Sequence, residues 1–165
     1  MADGLERVPP SLRKYRVSRS LLQATADAFR NYGKGRREIV ALWQGRVLDE
    51  STAEITALRV PAQDTGARHF SVPLNERLRI AQELAQAKEV ALIQVHTHPA
   101  EAFHSAADDQ YALTKHTGAI SIVIPRFGLD WNGQLTQAAV FRNRGAGRWE
   151  ELSTVEVEHL FEVMV

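Results

Sequence analysis

Val90-Ala91-Leu92-Ile93-Gln94-Val95-His96-Thr97-His98-Pro99 is the stretch around which the rest of the chain can be arranged. Residues 90–95 form the most apolar run of strand type, and they lead directly into two histidines separated by one residue. At the end of a strand that spacing sends both imidazoles out of the same face. Pro99 ends the strand and turns the chain. A short helix is expected from Ser105 to Gly118, with Asp108 one turn in on the side of Ser105. Residues 119–124 are strongly β-branched and predict a central strand. A closing hairpin of 138–142 with 147–152 and a terminal helix over 155–163 follow.

Working back toward the N-terminus, residues 75–88 predict a helix capped by Asn75, with Glu76 at its positive end and a buried face of Leu78, Ala81, Leu84 and Ala85. Residues 69–72 read as a short strand, and 53–60 as a longer one closed by Pro61. Residues 38–44 read as a strand that Gly45 ends in a turn, with 46–48 returning. The first helix is expected over 19–32. Ser20 and Gln23 have capping-box spacing, Gly33 marks the stop, and Leu22, Ala26 and Phe29 share a face widened by Leu21 and Ala28. Residues 1–14 read as a tail with little to bury, because Pro9-Pro10 favours an extended backbone. The cluster Arg13, Lys14, Arg16 and Arg19 reads as solvated. Residues 15–165 then form one domain of the α+β class, a mixed, curved sheet flanked by helices.

Composition narrows the chemistry. At 165 residues, with 44% hydrophobic and 24% charged, the chain suits one domain that buries about 70% of its unfolded surface. Twenty Lys and Arg balance twenty Asp and Glu, so the overall positive field of a nucleic-acid binder is missing. Cysteine is absent, which excludes disulfides, thiolate metal sites and a thiol nucleophile. No run reaches the roughly 20 apolar residues of a membrane span, and the charged, proline-containing N-terminus does not read as a signal peptide. The expectation is a cytoplasmic protein with neither nucleic acid nor membrane as partner. A serine-hydrolase elbow and a phosphate-cradling loop are both missing, Lys34-Gly35-Arg36 being a turn.

Two neutral imidazoles and one carboxylate leave a fourth tetrahedral position open, the arrangement of a catalytic zinc. A dication with one anionic ligand keeps about one positive charge, enough to bring bound water from a pKa of ~15.7 toward ~7. Alone, however, His-x-His is more often a pair of structural or exposed histidines than a ligand pair. Ser105-x-x-Asp108 is more commonly the cap and third residue of an ordinary helix.

Taken together, His96-Thr97-His98-Pro99 and Ser105-Ala106-Ala107-Asp108 resemble the signature of the JAMM (MPN-plus, JAB-domain) zinc metalloproteases, in a compact prokaryotic form. The stretch Glu38-Ile39-Val40-Ala41-Leu42-Trp43-Gln44-Gly45 resembles that family's upstream glutamate strand, and the likeness extends over residues 16–142. It implies an MPN, cytidine-deaminase-like layered architecture with one Zn2+ per chain held by His96, His98 and Asp108. Glu38 would act as general base and then acid, and Ser105 would hydrogen-bond the developing oxyanion. Three departures stand out: the Pro99–Ser105 spacing is one residue short, Ala41 replaces a glycine, and Val95 replaces an aromatic residue. Counting from Ser105 selects Asp108, while counting from Pro99 selects Asp109, the runner-up ligand. Without the resemblance, Glu38 reads as a surface glutamate paired with Arg36 or Arg37. His104 lies close enough to be a donor beside the site, though an exposed loop residue is the plainer reading. His69, His116 and His159 receive no role.

The implied activity is cleavage after the C-terminus of a ubiquitin-like protein, in a conjugate or a precursor. The substrate tail would lie along a sheet edge between walls formed by residues 64–70 and 99–104. The alternatives are a non-catalytic scaffold module of the same fold and a DNA-associated domain. Zinc content separates the first alternative from the enzyme, and salt-dependent DNA binding would mark the second.

Overall fold

The structure is a computed structural model that describes residues 8–103 and 112–165. The element order is β1 (Lys14–Ser18), α1 (Arg19–Gly33), β2 (Val40–Val47), β3 (Thr52–Arg59), β4 (Asp64–Thr65), β5 (Phe70–Ser71), α2 (Leu74–Ala87), β6 (Val90–Thr97), β7 (Ile120–Ile124), β8 (Ala139–Asn143), β9 (Trp149–Glu151), α3 (Thr154–Leu160) and β10 (Phe161–Met164). Eight strands form one mixed sheet in the order β10-β1-β3-β2-β6-β7-β8-β9, and β4-β5 is a separate hairpin. β1 runs parallel to both its neighbours and β6 parallel to β7, while the other ladders are antiparallel. The α+β class expected from the sequence is the one observed.

The sheet faces differ, and the difference positions the site. On one face Ala41 and Trp43 of β2, Ile93 and Val95 of β6, and Ile120, Ile122 and Ile124 of β7 pack against Leu22, Ala26 and Phe29 of α1 in one large core. The Trp43 indole N–H donates to Thr25 Oγ1 at 3.0 Å, and that hydroxyl donates to Leu21 O at 2.8 Å, which fastens α1 onto β2. The intervening residues of β2 face the other way. There the apolar cover breaks into three small groups: Leu42 and Ala91 beneath Ile80 and Leu84 of α2, Val40 with Phe70 and Val72, and Val123 with Ala139 and Phe141. The end of β6 lies among these groups.

Several expectations are corrected. Gly45 does not end its strand; it lies inside β2 beside a bulge, and a Cβ there would sit 1.9 Å from Glu54 O. Close approach of β3, not a turn, is what requires glycine. α1 is capped by Ser18, whose side chain accepts from Leu21 N, and it ends at Lys34 in the left-handed region, so Gly33 is still helical. α2 follows Pro73 with no side-chain cap; Ile80 joins its buried face, and Leu78 is 57% exposed. Residues 112–118 are not helical, and the rest of the helix expected there lies outside the described residues. The terminal helix stops at Leu160 and the chain continues as β10. The N-terminal stretch is not wholly a tail: Val8 and Leu12 are buried in the core, and the basic cluster contributes strand β1.

Candidate active site

The site is built where β2 begins and β6 ends. β2 and β6 pair antiparallel with Val40 opposite His96. Beyond that pair, Thr97 N donates to Ile39 O at 3.0 Å and Ile39 N donates to Thr97 Oγ1 at 3.0 Å. One further step of this register sets Glu38 opposite His98, so Glu38, Val40, His96 and His98 share the face away from the main core. All three polar residues are enclosed: Glu38 is 6%, His96 0% and His98 3% exposed. Burial replaces the alternative in which Glu38 is a surface residue beside Arg36 or Arg37.

The imidazole centroids are 5.1 Å apart with rings inclined at 54°. A metal–nitrogen bond of about 2.0–2.1 Å, with a ring radius near ~1.1 Å, predicts centroids roughly 5.2 Å apart for two imidazoles on one tetrahedral ion. The donor chemistry and this spacing fit a divalent cation. Phe70 packs on His96 at 5.3 Å, and Phe103 meets His98 edge-on at 4.7 Å, 79°. The stretches expected as groove walls, 64–70 and 99–104, thus each contribute an aromatic ring to one imidazole. Among the described residues no group of three or more His, Asp or Glu side chains could hold an ion. Ser105, Asp108, Asp109 and His104 lie outside the described residues.

No protein-family model matches the chain. It is 26% identical over 160 residues to a protein named probable metalloprotease y4jG of Sinorhizobium fredii, covering 92% of this chain and 95% of that one. Among solved structures, protein DSY2949 of Desulfitobacterium hafniense is similar in fold, with a TM-score of 0.63 and 15% identity, covering 91% of this chain and 92% of that one.

Sequence reasoning missed the residues that hold these side chains in place. β3 has left β2 beyond the Leu42–Arg59 pair, and the Gln63 carboxamide takes its place. Its Oε1 accepts from Val40 N and its Nε2 donates to Val40 O, both at 2.9 Å. Glu38 N donates to Gly66 O at 2.8 Å. Glu76 of α2 accepts from Ala62 N at 3.0 Å and so ties this edge segment to the helix. Nothing in the sequence signalled Gln63. Gln94 did leave a signal, a carboxamide inside the most apolar strand; fully buried, it accepts from Leu113 N at 2.6 Å, just after the stretch carrying Ser105 and Asp108.

His98 is fixed from the other side as well. Its N–H donates to Ile124 O at 2.9 Å, its O accepts from Phe127 N at 2.7 Å, and Ala100 O accepts from Arg126 N at 3.0 Å. Arg126 and Phe127 adopt φ of 52° and 54°, a conformation that costs about 1–2 kcal/mol per non-glycine residue. That strain persists where surrounding contacts over-determine it, as at functional sites.

Thr97 is the hinge of the arrangement. Thr97→Val leaves Ile39 N–H buried without an acceptor, a loss of about 1–3 kcal/mol, and loosens Glu38 relative to His98. Thermal unfolding should report the loss, and Thr97→Ser should restore stability. Equal stability of Thr97→Val and the wild type would show that the hydroxyl holds nothing.

Proposed function

We propose that the chain is a metal-dependent peptidase of the JAMM type, with zinc held by His96, His98 and Asp108. The observation that supports this most is the register that gathers Glu38, His96 and His98, all buried, on one face. The similarity to a probable metalloprotease over nearly the whole of both chains points the same way. A bound divalent cation supplies Lewis acidity, polarising a carbonyl oxygen and lowering the pKa of water.

The chain's own residues do the rest. Glu38, fixed by its backbone tie to Gly66 O, takes the proton of the attacking water and returns it to the leaving amine. Ser105 donates a hydrogen bond to the carbonyl oxygen as negative charge develops on it. Phe70 and Phe103 shield the imidazoles and narrow the approach to them. The substrate is an extended tail lying between these walls, the C-terminus of a ubiquitin-like protein in a conjugate or precursor. The site of action is proposed to be cytoplasmic; separately, none of the described helices is long and apolar enough to cross a membrane.

Incubating purified protein with a panel of ubiquitin-like fusions tests this reading. Cleavage at the end of the ubiquitin-like moiety is expected, lost with a chelator and restored by zinc. Cleavage that persists undiminished in chelator would contradict it.

A further inference from the structure

A cavity lies on the other sheet face, at the other end of the ladder from His98. Arg142 of β8 pairs with Ile120, which pairs with Ile93, and its neighbours across that face belong to the α1 core. The cavity, of about 160 Å3, is lined by Arg13, Arg142, Leu152, Glu156, His159 and Leu160. That is about five times the volume of a water molecule in the liquid, room for one small ion with a few waters.

The charges around the cavity are unbalanced. Arg142 is half-buried, its Nε is enclosed with no hydrogen-bond partner, and no carboxylate forms an ion pair with it among the described residues. Arg13 also lacks an ion pair there. Of the nearby acids, Glu150 pairs with Arg144 at 3.0 Å, while Glu156, whose Oε2 accepts from Ser153 N at 2.7 Å in the α3 capping box, lines the cavity and attracts Arg142 through its charge without forming an ion pair. The Tyr15 hydroxyl, within electrostatic reach of Arg142, is likewise buried without a partner, and its burial raises its pKa to about 12. Burial also pulls the Arg142 pKa below its ordinary value. A guanidinium still stays protonated in proteins, so Arg142 and Arg13 set two positive charges around the cavity against the single carboxylate of Glu156. A charge left partly desolvated and unpaired opposes folding unless something compensates it.

We propose that this cavity binds a small oxyanion of the phosphate class, with the Arg142 fork as its principal ligand and Arg13 as the second cation. Guanidinium donors match the spacing of phosphate oxygens and take them bidentately. His159 lines the same cavity. The bound anion bridges Arg13, just before β1, and Arg142 of β8, and offsets the excess positive charge around the cavity. The site is independent of the metal-dependent reaction.

Titration calorimetry of the full chain in phosphate-free buffer tests the proposal, with inorganic phosphate and methyl phosphate as separate arms. One binding event per chain is expected for inorganic phosphate, together with a rise in Tm. Binding of both probes would show that the site also accepts a phosphate monoester, and binding of inorganic phosphate alone that it takes the free ion; either supports the site. Arg142→Met and Arg13→Gln should each weaken binding at least tenfold and abolish the Tm rise. Arg13 is exposed, so Arg13→Gln carries the test should Arg142→Met not fold. Absence of binding at millimolar phosphate would overturn the proposal. So would a Tm rise of equal size in wild type and variants, because general exclusion of phosphate from protein surfaces acts on all of them alike.

Discussion

Glu38→Gln is expected to keep the fold and the metal while lowering peptide cleavage by about 10²–10⁴-fold, the range that a positioned general base contributes. The change is nearly isosteric. The hydrogen bonds that fix the strand start, Glu38 N to Gly66 O and the reciprocal Ile39–Thr97 pair with its Thr97 hydroxyl, do not involve the carboxylate. What is lost is a group able to accept a proton and give it back. Steady-state rates beside metal analysis of the same preparation separate this from unfolding. The loss should fall on kcat, since a proton acceptor acts in the transition state rather than in substrate binding. Full activity in Glu38→Gln would remove the residue from the reaction.

Trp43→Ala is expected to cost about 3–5 kcal/mol, a large share of the 5–15 kcal/mol that usually separates folded from unfolded chains. Trp43 is fully buried, meets Phe161 of β10 edge-on at 6.4 Å, and donates to Thr25 on α1. It therefore joins helix, central strand and edge strand at one point. Denaturant unfolding should show the midpoint falling far below that of the wild type. Trp43→Phe, which fills most of the volume but drops the hydrogen bond, should fall between the two. A Trp43→Ala protein as stable as the wild type would mean that this junction is not where α1 is held.

The parts of the fold that could be read from the sequence are those where one physical signal dominates. β6 and β7 are apolar runs with nothing competing, and the His-x-His spacing at the end of β6 puts both rings on one face, as found. Misreadings arose where one residue type answers two needs. Gly45 reads as a turn, yet it serves a close approach between strands that cannot be seen without knowing that β3 bulges against β2. Val155, Val157, Leu160, Phe161 and Val163 fit a helical face or an alternating strand about equally, and the chain uses both in succession. β1 was masked by its charges, although Tyr15 and Val17 alternate inward.

The candidate site shows the same division. The two histidines stand out through their spacing after an apolar strand, whereas Glu38 is singled out only through the family resemblance, since by itself it reads as a surface glutamate beside Arg36 or Arg37. Their supports were not legible. Gln63 takes the place of an absent strand, and the Arg126–Phe127 backbone braces the His98 loop; both depend on contacts distant in sequence. Thr97 sat in plain view as the variable position of His-x-His, but its role emerges only from the partner it meets across the ladder.

Metal content measured by mass spectrometry, on wild type and His98→Ala purified in parallel after exposure to zinc, tests the central claim most directly. About one zinc per chain is expected for the wild type, as for a site with three protein ligands, and close to none for His98→Ala. A wild type that holds no metal after loading, or a His98→Ala protein that keeps a full equivalent, would contradict the account.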